Sequence, residues 1–219
     1  MRFSIIGGIA LGLAASQVMA EITPRVGLGI GSYEQIVFAG GAFSDNTAIS
    51  IAPSAGVSIG TQAGFIFDLG IETLATEVLN QSTGEFDDGY RTELTAFAGY
   101  PFLPGAFVIA GYRTADYGES IGDDESGSLS GPMLGVAMPD LRIGGSDTNI
   151  MSFMFAIQQG TYEIGAIEED GEGATIRLGF RRSDSNQSFG LRYQVFGSDE
   201  SFDEWVTTLQ WTYNFVGEN

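Results

Sequence analysis

What most restricts the fold of this chain is an alternation of period two. Phe107–Ala110 in the fifth segment does not declare its faces, but in several others large apolar residues trade places with small or polar ones at successive positions. That is the repeat of a strand with two unlike faces, and no segment holds a helical period. Residues 49–59 place Ile49, Ile51, Pro53, Ala55, Val57 and Ile59 opposite Ser50, Ala52, Ser54, Gly56 and Ser58. Residues 174–181 place Ala174, Ile176, Leu178 and Phe180 opposite Thr175, Arg177, Gly179 and Arg181. Ten such segments are predicted: 25–38, 48–59, 63–78, 89–100, 105–116, 129–138, 149–165, 173–182, 188–197 and 204–215. The seventh changes parity near Gln158–Gly160, which predicts a bulge.

The connections alternate in kind. Residues 60–62, 101–104 and 183–187 are short, and 139–148 joins them by position. The others, 39–47, 79–89, 117–128, 166–173 and 198–204, are longer and acidic. They carry Asp87 and Asp88, then Asp123, Asp124 and Glu125, then Glu168, Glu169 and Asp170, and finally the cluster ending at Glu204. All of these connections lie at one end of an up-and-down meander. The expected fold is therefore all-β, an antiparallel up-and-down barrel of ten strands, with eight as the alternative count.

Alternation does not say which face is buried. A soluble barrel hides its apolar face, and a membrane barrel shows it to lipid. Residue types on the polar faces decide between them. Nine basic residues stand against 28 acids, and all nine are Arg; the chain has no Lys and no His. A water-facing surface uses Lys freely, whereas a crowded interior suits small residues and the rigid fork of Arg. Asp68, Glu72 and Glu93 are placed to meet Arg91, Arg113, Arg177, Arg181 and Arg192 across a lumen. Trp205, Trp211, Tyr213 and Phe215 share the apolar face of the last segment and mark an aromatic girdle. Ten strand residues at ~3.3 Å each give ~33 Å. Tilted by roughly 40°, that projects to about 25 Å, the height of the apolar band of a membrane barrel.

The first residues fit an export signal. Arg2 is a positive start, Ile5–Ala15 a short apolar run, and Val18-Met19-Ala20 a small-residue cleavage pattern. The run is too short for a spanning helix, which needs roughly 20 residues. The expected domains are a signal peptide over 1–20 and a single barrel over 21–219.

With these features the chain resembles the small outer-membrane β-barrels of Gram-negative bacteria, the porin-like and OmpA-like barrel class, with no subfamily singled out. The most specific part is Thr208–Phe215, "TLQWTYNF". It is similar to the C-terminal assembly signal of that class at Thr208, Tyr213 and Phe215. It departs from the signal at Gln210, where glycine is usual, and in running on past Phe215. The resemblance implies export to the outer membrane, membrane lipid and the barrel assembly machinery as partners, and a monomer.

The chemistry is mostly excluded. There is no Cys for thiol or disulfide chemistry and no His for a nucleophile's base. The enzymatic small barrels rely on a histidine, so the expectation is a non-enzyme without a cofactor. The acidic surplus argues against nucleic acid. "GDDESGS" and "EEDGEGA" lack the alternating ligand spacing of an EF-hand, which leaves a solvated acidic rim with weak divalent cation binding, and no metal site, as the expectation. "GLGIGSYEQ" has no Lys and no following helix for a phosphate loop; its glycines read as room inside a narrow barrel. Two functions remain in view. One is a small passive channel with an acidic mouth and an Arg/carboxylate-lined lumen. The other is a non-conducting surface barrel whose acidic loops meet a partner or divalent cations. A soluble periplasmic ligand-binding barrel is a minor third.

Overall fold

The computed structural model describes residues 21–39, 42–79, 86–118, 127–143, 145, 147–164, 167–198 and 202–215. The expected signal peptide lies outside the described residues, and so do Asp123, Asp124 and Glu125. The strands are β1 (Glu21–Ala39), β2 (Ala42–Gly60), β3 (Ile66–Leu79), β4 (Phe86–Leu103), β5 (Ala106–Gly118), β6 (Gly127–Arg142), β7 (Asn149–Ile164), β8 (Ile167–Arg182), β9 (Gln187–Ser198) and β10 (Phe202–Asn214). Each pairs antiparallel with its chain neighbours, and β1 closes on β10, giving a barrel of ten strands. Closure leaves no unpaired sheet edge, the condition for strands to lie in lipid.

Register keeps like faces together. Ile30 of β1 stands opposite Ile51 of β2 and Leu209 of β10, and all three point outward. Large apolar side chains are exposed on every strand; Ile49 is 76% and Leu209 61% accessible. Water would not tolerate a continuous belt of this kind around a folded domain, and lipid would. Three turns at the end where the strands begin and finish, 61–65, 104–105 and 183–186, are short. Gly64 and Gly105 take φ of 83° and 76°, a backbone shape that side chains with a Cβ adopt at a cost. Arg182 donates twice to Asp184, at 2.9 and 2.8 Å, which pins the turn between β8 and β9 and holds the Asp184 carboxyl below its usual range.

The strands run further than the sequence predicts. Asp88, Glu168, Glu169 and Asp170, read above as loop residues, stand on paired strands, and Asp87 does too, in backbone at least. The ladder continues past the lipid belt because nothing in these stretches breaks it. The bulge expected near Gln158–Gly160 is absent. β7 keeps one register against β8 from Asn149 to Ile164, with Met154, Ala156, Gln158 and Tyr162 all inward. Parity holds there while polarity inverts. Above Ile157 the outward residues become Gln159, Thr161 and Glu163, and the inward ones end in Tyr162. Register shifts fall elsewhere, at Pro101/Leu103 and Met138/Leu141.

The barrel therefore has two storeys. In the lower one, near the strand termini, apolar groups face out; inside, polar and charged groups line β8–β10 and β1–β3, while Ile109, Met133, Ala137, Met154 and Ala156 form an apolar cluster with Phe97 and Phe107 on the β4–β7 side. In the upper one the inside is an apolar core, Tyr33, Leu74, Ala115, Tyr117, Leu129, Tyr162, Phe196, Phe202 and Val206, all buried. Tyr162 and Phe202 stack with centroids 3.8 Å apart, and Tyr117 meets Phe202 edge-on at 6.0 Å.

Candidate functional site: the lumenal charge cluster and the cavity beneath it

Beneath the aromatic core lies a layer of buried ions. Arg91 and Glu93 sit two apart on β4, so both point inward. Arg113 enters from β5, Arg192 and Gln194 from β9, and Glu204 and Thr208 from β10. Arg91 donates to both oxygens of Glu204, from Nε at 2.9 Å and Nη2 at 2.8 Å, and its Nη2 also reaches Glu93 Oε2 at 2.8 Å. Arg113 Nη2 donates to Glu204 Oε1 at 3.1 Å. Tyr117 donates its hydroxyl to Glu204 as well. Glu93 further accepts from Arg192 Nη1 at 2.7 Å, Gln194 Nε2 at 3.0 Å and Thr95 Oγ1 at 3.2 Å. Arg91, Arg113 and Glu204 are each no more than 1% exposed. Charges so deep are tolerated because each carboxylate meets several guanidinium donors, the arrangement that offsets lost hydration.

Below this layer is a cavity of about 800 Å³ lined by β8–β10 and β1–β3, and bounded toward β4–β7 by Phe97, Ala137 and Met154. Glu72 meets Arg192 there and accepts from Gln210 Nε2 at 3.2 Å. Asp68 accepts from both terminal nitrogens of Arg25, at 2.7 and 2.8 Å, and from Ser58. Arg177 approaches Glu93 only to 4.0 Å. Arg181 lies toward the mouth, paired with Asp140 at 2.6 Å.

The structure thus brings Arg91, Glu93, Arg113, Arg192 and Glu72 into one network, sets Arg177 beside it, and puts Asp68 and Arg181 lower in the cavity. Trp205, Trp211, Tyr213 and Phe215 are outside, with Tyr213 and Phe215 edge-on at 5.1 Å and Trp211 Nε1 donating to Gln187. Asp88, Glu168 and Asp170 are exposed, and Glu169 accepts from Ser198.

Sequence reasoning missed three things. Arg25 was not assigned to the lumen, although it shares parity with the small residues Gly27, Gly29 and Gly31. Glu204 was placed in the wet acidic cluster and is fully buried. The upper aromatic core was not foreseen. A signal for the last two existed: Phe202 and Glu204 share the parity of Val206, Thr208 and Gln210.

A closed antiparallel barrel with apolar residues outward on every strand and ion pairs inside is a transmembrane β-barrel of the outer-membrane type. No protein-family model and no curated protein matches the chain. Solved structures do resemble it. The outer-membrane protease OmpT of Escherichia coli is 11% identical, at a TM-score of 0.49, over 89% of this chain and 97% of that one. The β domain of the Bordetella autotransporter BrkA is 9% identical at 0.48, over 90% and 99%. The attachment invasion locus protein Ail of Yersinia pestis is 8% identical at 0.33, over 89% and 99%. Likenesses of this size transfer neither activity nor ligand.

Proposed function

We propose that the protein is a non-enzymatic barrel of the bacterial outer membrane whose lumen is shut. It serves as a stable surface element rather than as a pore. One observation carries the reading: the buried ion layer and the aromatic core above it fill the upper lumen side chain to side chain. Ten strands enclose little more than the eight whose interior side chains just fill. Strands that begin and end at the tight-turn end place that end in the periplasm, by the usual topology of such barrels. The acidic strand ends, Asp88, Glu168 and Asp170 among them, then face the medium, where they meet a cationic partner or divalent ions. The barrel assembly machinery inserts it, and it acts as a monomer.

The small passive channel keeps one observation in its favour, the cavity that already hollows the lower lumen. Purified protein in a planar bilayer separates the readings. The shut barrel gives no discrete conductance steps at low or high salt. Reproducible steps would establish the channel instead, and Arg177→Ala would then alter their size.

A further inference from the structure

The lower cavity carries a positive charge without a partner of its own. Arg177 and Arg192 stand directly opposite each other on β8 and β9, both facing the lumen. Like charges in that position repel. They share Glu93, which Arg91 and Arg113 also claim. Around this point five guanidinium groups, Arg25, Arg91, Arg113, Arg177 and Arg192, face four carboxylates, Asp68, Glu72, Glu93 and Glu204, while the rest of the cavity lining adds the Arg181–Asp140 pair and Glu21. Asp68 is taken by Arg25, Glu72 by Arg192, and Glu204 by Arg91 and Arg113. Arg177 has the longest ion contact of the group, and among the described residues its buried Nε has no hydrogen-bond partner; the same holds for Nε of Arg192. Yet the Arg177 side chain is 31% exposed, and it borders the cavity.

The floor in front of it has no side chain of its own: Ser152 Oγ reaches over Gly179, and the space over Gly190 is open. One step toward the mouth on the same face, Gly179 pairs with Gly190, so neither strand puts a side chain there. A Cβ on Gly190 would come no nearer than 3.4 Å to any atom, the open side of the floor. Ser152 and Ser188 supply hydroxyls on the flanking cavity wall.

We propose that this is an oxyanion site. A small phosphate- or carboxylate-bearing solute enters from the terminal end of the barrel and lies on the Gly179–Gly190 floor. There it accepts hydrogen bonds from Arg177, supported by the serine hydroxyls. A planar guanidinium suits two oxygens of one ligand, and two arginines set opposite each other on one shared carboxylate make an anion, rather than a cation, the species that relieves their repulsion. Asp68, Glu72, Glu93 and Asp140 on the wall already hold arginines.

The site does not depend on whether the lumen conducts. The test uses the full barrel refolded in detergent, with the arginine Nε–Hε signals followed by NMR as inorganic phosphate is added, and acetate in a parallel series. The expected result is a saturable millimolar shift that is at least ~10-fold weaker in Arg177→Gln. Gly190→Leu fills the floor and leaves the Arg177 guanidinium in the chain, and it should weaken binding as much. Arg142→Gln, at the exposed end of β6, should leave it unchanged. Heat-modifiable gel mobility confirms that each variant is folded, and if Arg177→Gln does not fold, Gly190→Leu decides. No saturable shift, or the same shift in a folded Arg177→Gln or Gly190→Leu barrel, would overturn the proposal.

Discussion

Glu204 shows how much one residue's position decides. In sequence it belongs to an acidic run with Asp203. In the structure Asp203 is exposed, while Glu204 receives Arg91, Arg113 and Tyr117 and is wholly buried. Removing one member of a buried ion cluster leaves the others uncompensated, at roughly 3–5 kcal/mol. Glu204→Ala should lower barrel stability by that order in urea unfolding from lipid vesicles. Asp203→Ala should leave the midpoint where it was. An equal effect of the two would mean that Glu204 is solvated.

At the scale of the strand, β10 makes the same point over its whole length. The sequence pattern disclosed its lower half in full: Leu209, Trp211 and Tyr213 outward, and Thr208, Gln210 and Thr212 inward, in register with β1 and β9. Leu209 is in the lipid belt, so Leu209→Arg should cost ~2–4 kcal/mol if it lies near the midplane. The measurement is again urea unfolding in vesicles. The upper half was illegible for a physical reason. The environment outside changes from lipid to water along a single strand, so the polarity of both faces reverses while the backbone period continues. A reading that follows polarity sees a loop at Asp203–Glu204 and a bulge at Gln158–Gly160. A reading that follows parity alone would have carried the strand on and put Phe202 and Tyr162 inside. The lumenal set was more legible, because Arg in place of Lys is a residue choice visible without coordinates. How the charges partition among themselves was not, since Glu93 meets Arg192 at a separation of 99 positions in sequence.

For the molecule as a whole, the location of arginine has a practical corollary. Trypsin cuts after Lys or Arg, and this chain offers only the latter. Arg91, Arg113 and Arg192 are enclosed, and Arg25 and Arg177 line the lower cavity. The readily accessible ones, Arg142 at 69% and Arg182 at 60%, sit beside tight turns at the terminal end, with Arg181 next to them. Protease added to intact cells should then leave the barrel whole. After the outer membrane is breached, fragments ending at Arg142 and Arg182 should appear. Shaving of intact cells that yields those fragments would mean that the barrel sits the other way up. The protein thus carries its own topology reporter: a surface that is acidic, free of basic cleavage points, and silent to the protease until the opposite side is reached.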